Sequence, residues 1–277
     1  MKSISEFNRF TSELKEDGYL MPVLFVGHGS PMNGIEDNEF SRRWTQTAHE
    51  IPRPKAVLVV SAHWLSNGTR ITAMDFPRTI HDFGGFPQAL FDVQYPAPGS
   101  TLIAKETAGL LHSIHAELDH DWGLDHGAWT VVRHMYPDAD IPVLQLSIDY
   151  NKGPQYHYDL AKQLYSLRKK GILIIGSGNM VHNLRMVAWS KLNEDEYGYD
   201  WAHELNDKFK NLIASGNHQD LINFSRISPN INLAIPTAEH YLPLIYTLGL
   251  QSDKEEVSFF NDKAVGGSLT MTSVKFG

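Results

Sequence analysis

Apolar residues along the chain gather in short continuous runs, and three of the four longest runs stop at glycine or histidine. Such runs are typical of strands covered on both faces, as in mostly parallel sheets, because a half-exposed strand would alternate with polar residues. They predict buried strands over residues 22–27, 55–63, 141–148 and 171–176. Shorter β-branched stretches predict further strands over residues 70–74, 256–261 and 267–275.

Segments with apolar residues at helical spacing lie between these runs. They predict helices over residues 37–49, 100–116, 154–170, 200–214 and 238–248. Ser3 and Glu6 form a capping box, which predicts a short N-terminal helix. Gly171 is expected to cap the helix before it. Residues 75–100 form a long irregular stretch, and loops of that length in a compact domain are often functional.

Strands that alternate with helices indicate an α/β fold. We expect a single domain over residues 1–277, with a central, mostly parallel or mixed sheet flanked by helices and residues 1–20 as an N-terminal helical extension. The length of 277 residues allows one large domain or two small ones, since domains commonly hold about 100–200 residues. No repeat, low-complexity segment or linker divides the chain.

Composition narrows the range of partners and sites. The net charge is −8 and no basic run is present, so neither nucleic acid nor a membrane surface is an expected partner. No stretch approaches the roughly 20 apolar residues that cross a membrane, and the polar N-terminus does not resemble a signal peptide. The chain has no cysteine, which excludes disulfides, is consistent with a cytoplasmic protein and leaves any metal to His, Asp or Glu.

Histidines follow three of the predicted buried strands: His28 the first, His63 the second and His182 the last. Parallel strands bring their carboxyl ends to one edge of the sheet, where ligands bind in open α/β folds. Neutral imidazole is a common metal ligand, so the pattern predicts a metal site at the strand ends. Glu239 and His240 stand together at a predicted helix start. Since neighbouring helical residues diverge by about 100°, only one of them is expected to face the ion.

Other histidines have two interpretations each. His126 is either a helix-start residue or catalytic, and His81 is structural unless its loop closes over a site. Seven more lie among polar or helical residues and are expected to be solvated: His49, His112, His115, His134, His157, His203 and His218.

Motifs of other enzyme classes are absent from the sequence or lack a required residue. The sequence has no G-x-S-x-G, P-loop, Rossmann glycine motif or H-E-x-x-H. Gly27 stands where a histidine phosphatase would need arginine before His28. The VGHGS segment is also similar to the strand-end motif of sirohydrochlorin-type chelatases. That alternative leaves SAHW and PTAEHYLP unexplained.

Seven motifs stand in order along the chain: GHGSPM at 27–32, SAHW at 61–64, HDFGGFP at 81–87, YPAPG at 95–99, DHGAW at 125–129, SGN with VHNLR at 177–185, and PTAEHYLP at 236–243. Together they resemble the 4,5-DOPA extradiol dioxygenase family, a class III branch related to protocatechuate 4,5-dioxygenase. The resemblance runs from about Pro22 to the C-terminus. It implies an enzyme that uses O₂ to open a catechol such as DOPA beside its two hydroxyls, at a non-haem Fe(II).

The resemblance also implies roles for individual residues. His28 and His63 match metal ligands, and His240 matches the third ligand, where the protocatechuate enzymes have a carboxylate; Glu239 is the alternative. His182 matches a base of the distant relatives and is also expected to lie close enough to bind the metal.

A catechol must lose a proton when it binds, and His182 and His126 are the residues expected to handle protons. The loop around Phe83 and Phe86 is expected to cover the substrate. Fe(II) is expected for turnover, while an all-imidazole site also suits Zn(II). A zinc-dependent enzyme on the same fold and a chelatase-like metal-binding protein without oxygenase activity are the alternatives. Without an amphipathic coil or an obviously sticky strand, a monomer is favoured.

Overall fold

A computed structural model describes residues 16, 18–192, 194–253 and 255–277. Its strands are β1 Val23–Gly27, β2 Ala56–Ser66, β3 Arg70–Thr72, β4 Glu117–Asp119, β5 Val143–Asp149, β6 Ile172–Gly178, β7 Val257–Phe260, β8 Ala264–Val265, β9 Leu269–Thr270 and β10 Ser273–Phe276. Its α-helices are α1 Glu39–Glu50, α2 Gln88–Phe91, α3 Thr101–Leu110, α4 His126–Met135, α5 Pro154–Gln163, α6 Tyr165–Lys169, α7 Asp200–Ala214, α8 His218–Ile222, α9 Ile231–Ala234 and α10 Leu242–Leu250. Single 3₁₀ turns lie at Pro31–Gly34, Leu184–Met186, Trp189–Lys191 and Phe224–Arg226.

Eight strands form one mixed sheet in the order β4-β3-β5-β2-β6-β1-β10-β7, and β8 pairs with β9 in a separate hairpin. The central strands β5, β2, β6 and β1 are parallel, whereas β3 on one side and β10 and β7 on the other are antiparallel to their inner neighbours. The expected α/β fold with a mixed sheet is confirmed. The limits of a single domain over 1–277 stay a prediction, and the predicted helix at Ser3 lies outside the described residues.

Both faces of the central sheet are buried. Val23 and Phe25 of β1 belong to one core cluster, and Leu24 and Val26 belong to the other. Helix α10 packs on β6 and β1, while α4 packs on β2. Because both faces are covered, the central strands are buried along almost their whole length and are mostly apolar, which explains the continuous runs in the sequence.

Several elements differ from the sequence pattern at their ends. Strand β2 continues to Ser66, past His63. The helix predicted over 154–170 divides at Leu164 into α5 and α6, and Gly171 has a φ of 77° as expected of a cap. The helix predicted over 238–248 begins at Leu242, so a turn carries Glu239 and His240.

Among the described residues, none of the helices has the length and apolar character that a membrane span needs.

His157 contradicts its expected solvation. Its side chain on α5 is completely buried, and Nδ1 lies 3.0 Å from the Tyr246 hydroxyl of α10. Burial lowers the pKa of His157 from 6.5 to about 4. The polar sequence around this residue hid the fact that it lies on the inner face of its helix.

The lowered pKa of His157 predicts a pH-dependent contribution to stability. Since the folded protein resists protonation of this ring, its contribution is complete above the unfolded pKa of about 6.5 and is lost as the pH falls towards 4. The difference in unfolding free energy between the wild type and His157→Gln should shrink by roughly 2 kcal/mol from pH 7 to pH 5. Urea unfolding at several pH values measures it, and a difference that does not change with pH would contradict the assignment.

Candidate metal centre

His28 and His63 meet at the carboxyl edge of the sheet. His28 directly follows β1, and His63 lies in β2, which is separated from β1 by β6. The register of β2 against β5 shifts between Val60 and Leu65, and such irregularities re-aim side chains. The Nε2 atoms of His28 and His63 lie 3.1 Å apart.

The His28 ring is almost completely enclosed by protein, and the His63 ring is half-buried. His28 is only 1% exposed. Burial holds the pKa of His28 well below its ordinary value, and repulsion from His63 and the other rings adds to this effect. Burial and repulsion from His126 lower the pKa of His63 to about 3, although Asp82 acts in the opposite direction. Both imidazoles are therefore neutral near pH 7.

His182 and His240 complete the group from a separate part of the chain. Their rings stack with centroids 3.5 Å apart, and the His240 ring lies 5.0 Å from that of His63. Burial lowers the pKa of His182 to about 4 and that of His240 well below its ordinary value. Nδ1 of His240 is buried without a hydrogen-bond partner.

Glu239 lies at the margin of the group. Its Oε1 accepts a hydrogen bond of 2.7 Å from Thr237 and lies 3.5 Å from His240 Nδ1. The ligand atoms of His240, His28 and His63 lie within 4.8 Å of one another. Those of Glu239 lie within the same distance of His182 and His240. The His240 ring is therefore the closer of the two neighbours to the strand-tip histidines.

The backbone of the strand ends approaches this turn closely. Asn179 N–H donates to the carbonyl oxygen of His240 over 2.9 Å. A Cβ on Gly178 would overlap that same carbonyl group. Only glycine at the end of β6 lets the His240 turn lie against the sheet edge.

His126 is the first residue of α4, and its position depends on a buried cap. The preceding Asp125 is completely buried and accepts hydrogen bonds from Ala128 N–H, from the Ser61 hydroxyl and from the Gln145 amide. Burial raises the pKa of Asp125 despite these bonds. This network fixes the start of the helix at His126, and a residue in that position can also be catalytic. It also places the His126 ring 3.8 Å from the ring of His63.

Asp82 is a residue of this site that the sequence analysis did not single out. Its Oδ1 accepts from His126 N–H over 2.9 Å, and its Oδ2 lies 3.0 Å from His126 Nδ1. Oδ2 also lies 3.6 Å from His63 Nδ1. Burial raises the pKa of Asp82, but its contacts with His126 outweigh burial and lower the pKa overall. Its place inside the HDFGGFP motif was the one available signal.

The long loop of residues 75–100 packs beside the histidines. The Phe83 ring lies edge-on to His126 at 5.6 Å and contacts the Phe86 ring at 5.4 Å. His81 Nε2 lies 3.0 Å from the carbonyl oxygen of Val93, which ties the two halves of the loop together. This bond gives His81 a structural role within the loop.

The donor set fits a divalent metal ion. Each of three overlapping groups of His and acidic residues holds its ligand atoms within 4.8 Å of one another. Two ligands bound to one ion at about 2.1 Å lie roughly 3.0–3.4 Å apart, and the separation of the His28 and His63 Nε2 atoms falls in that range. Neutral buried imidazoles, one with an unpartnered nitrogen, are the state in which histidine binds metals.

Comparison with known proteins decides the family. The family described as the catalytic LigB subunit of aromatic ring-opening dioxygenase matches residues 22–274. The chain belongs to this ring-opening dioxygenase family. The resemblance drawn from the seven motifs is therefore confirmed, and the family together with the histidine group indicates a non-haem metal centre.

Relatives of this ring-opening dioxygenase cover nearly the whole chain. The 4,5-DOPA dioxygenase extradiol of Escherichia coli (strain K12) is 48% identical over 93% of this chain and 95% of the relative. A protein of the same name from Beta vulgaris is 33% identical over 92% of this chain and 96% of the relative. The crystal structure of an uncharacterized Escherichia coli K12 protein matches with a TM-score of 0.80 and 41% identity, covering 93% of this chain and 100% of that chain.

Replacing Gly178 by alanine should weaken metal binding, because the new Cβ displaces the His240 turn. Loss of ligand positioning of this kind typically costs about 10–100-fold in metal affinity. Gly153→Ala is the matched control, since its Cβ would meet nothing within 4 Å. Zinc competition titrations measure both variants. Equal affinity of Gly178→Ala and wild type would show that the close approach does not position the ligand.

Proposed function

We propose that the protein is an extradiol dioxygenase that inserts O₂ into a catechol such as DOPA by 4,5-cleavage. The observation that carries this proposal is the convergence of four neutral imidazoles, His28, His63, His182 and His240, at one sheet edge. The names of the Escherichia coli and Beta vulgaris relatives supply the catechol class. Which catechol is the physiological substrate depends on the shape of the pocket, and a panel of catechols can identify it.

His28, His63 and His240 are the proposed metal ligands, with His182 as a further ligand or a base. Fe(II), when bound, supplies the redox chemistry by which O₂ attacks the ring, and Zn(II) is the alternative ion. A small set of neutral protein ligands would leave such an ion accessible to the substrate, as catalytic metal sites require. Glu239 is the alternative third ligand if its side chain turns from Thr237 towards the ion.

His126 is the better placed of the two proposed proton-handling residues. A catechol hydroxyl loses a proton when it binds, and a neutral imidazole accepts it near pH 7. The Asp82 carboxylate, 3.0 Å from His126 Nδ1, stabilises the imidazolium that results and orients the ring. His182 has no comparable carboxylate contact at hydrogen-bond distance among the described residues, and burial lowers its pKa to about 4.

The aromatic loop is proposed to cover the substrate. Phe83 already contacts His126, and Phe86 packs against Phe83, so a planar catechol beside His126 would meet aromatic rings. Exclusion of water by this loop would strengthen the electrostatic interactions inside the site.

Oxygen uptake tests the proposed activity. Protein loaded anaerobically with Fe(II), then mixed with DOPA and air, should consume about one O₂ for each DOPA and form a yellow ring-opened product. His28→Ala should lose both metal and uptake, because it removes a proposed ligand. Bound metal without O₂ uptake across a catechol panel would instead favour the zinc-dependent enzyme or the chelatase-like protein.

Asp82→Asn tests the proposed His126–Asp82 pair. Loss of the carboxylate should lower kcat about 10–100-fold, while His126→Ala should lower it by about 10²–10⁴-fold, the usual range for general acid–base catalysis. Asp92→Asn is the control, because the Asp92 carboxylate of the same loop is exposed and accepts a hydrogen bond from the side-chain amide of Gln88. Metal content is measured in parallel. Full turnover by His126→Ala with normal metal content would eliminate the assignment.

Two remaining expectations belong to the proposal as well. We propose a monomer, which light scattering of the full chain tests, and a cytoplasmic location. A chain without cysteine is consistent with a reducing compartment, which supports this location.

A further inference from the structure

Ser177 stands directly behind His28, at the carboxyl end of β6. Its side chain is completely buried. Its hydroxyl oxygen lies 3.0 Å from His28 Nδ1, and it also donates a hydrogen bond of 2.5 Å to the carbonyl oxygen of Gly127, the second residue of α4. One hydroxyl thus links the end of β1 with the helix that carries His126.

The count of protons at Ser177 fixes the direction of both hydrogen bonds. A carbonyl oxygen accepts only, so the single hydroxyl proton is used on Gly127. Towards His28 the oxygen must then accept, which places a proton on His28 Nδ1. A neutral imidazole carries one ring proton, so with that proton on Nδ1 the other ring nitrogen of His28 is unprotonated. Nε2 is left with a free lone pair.

We propose that Ser177 is a positioning residue that fixes His28 in the Nδ1–H tautomer and so presents Nε2 to the metal. The metal half of this inference rests on the proposed function. The geometry agrees, since His28 Nε2 faces His63 Nε2 at 3.1 Å, on the side where the ligands converge. Partners that donate to or accept from the second nitrogen of a histidine ligand generally set its tautomer and orientation.

The tautomer of His28 can be measured in the metal-free wild type, with Ser177 unchanged. Nitrogen-15 NMR of histidine-labelled protein distinguishes a protonated Nδ1 from a protonated Nε2, and His28→Gln identifies the signals. We expect the proton of His28 on Nδ1 at pH 7. A proton on Nε2 would overturn the proposal.

The effect on metal binding is measured with Zn²⁺ in competition with a chelator. Ser177→Ala should bind Zn²⁺ about 10–100-fold more weakly, because the ring loses its hydrogen-bond acceptor. The matched control is Ser147→Ala. Ser147 is an equally buried serine of β5, and its hydroxyl bonds with Ser66 and the backbone of Arg70. It should match wild type within about twofold.

The outcomes separate this inference from the function on which it rests. Wild-type affinity in folded Ser177→Ala would refute the positioning role while leaving the metal site intact. Failure of the wild type itself to bind Zn²⁺ or Fe(II) would instead refute the metal site, and with it the metal half of this proposal. If Ser177→Ala does not fold, the wild-type tautomer alone decides.

Discussion

Burial of several imidazole rings at one edge of the sheet is the constraint on which the site depends. Removal from water, and then the mutual repulsion of the rings, lowers the pKa values of His28, His63 and His240. Protonated rings at these separations would repel one another strongly in a region of low dielectric. A neutral imidazole keeps a lone pair on one ring nitrogen, and it is in this state that histidine binds a divalent metal ion.

The parallel centre of the sheet and three close backbone approaches create this edge. A Cβ on Gly27, Gly176 or Gly178 would overlap the backbone of Met271, Pro243 or His240, respectively. The segment between β9 and β10, the first turn of α10 and the turn that precedes it can therefore lie directly against the ends of β1 and β6. The ring of His240 reaches the strand-tip histidines because its own backbone touches β6.

The hydrophobic pattern predicted the site residues that lie at the ends of buried strands. The placement of His28 and His63 followed from apolar runs that end in histidine, since parallel strands share an edge. Asp82 and Ser177 were not predicted, because their roles depend on the path of a long loop and on where Gly127 of α4 comes to lie. The burial of His157 was missed for a similar reason: polar neighbours in sequence do not tell which helix face packs against Tyr246. The short helices α8 and α9 and the β8–β9 hairpin contain too few residues to show a periodic pattern.

Anomalous diffraction from anaerobic crystals loaded with Fe(II) tests the central claim most directly, because it locates the ion independently of any turnover. The account predicts one iron peak at bonding distance from the Nε2 atoms of His28 and His63 and from the imidazole of His240. An iron peak held by Asp82 and His126 without His28 and His240, or no peak at this edge of the sheet, would contradict it.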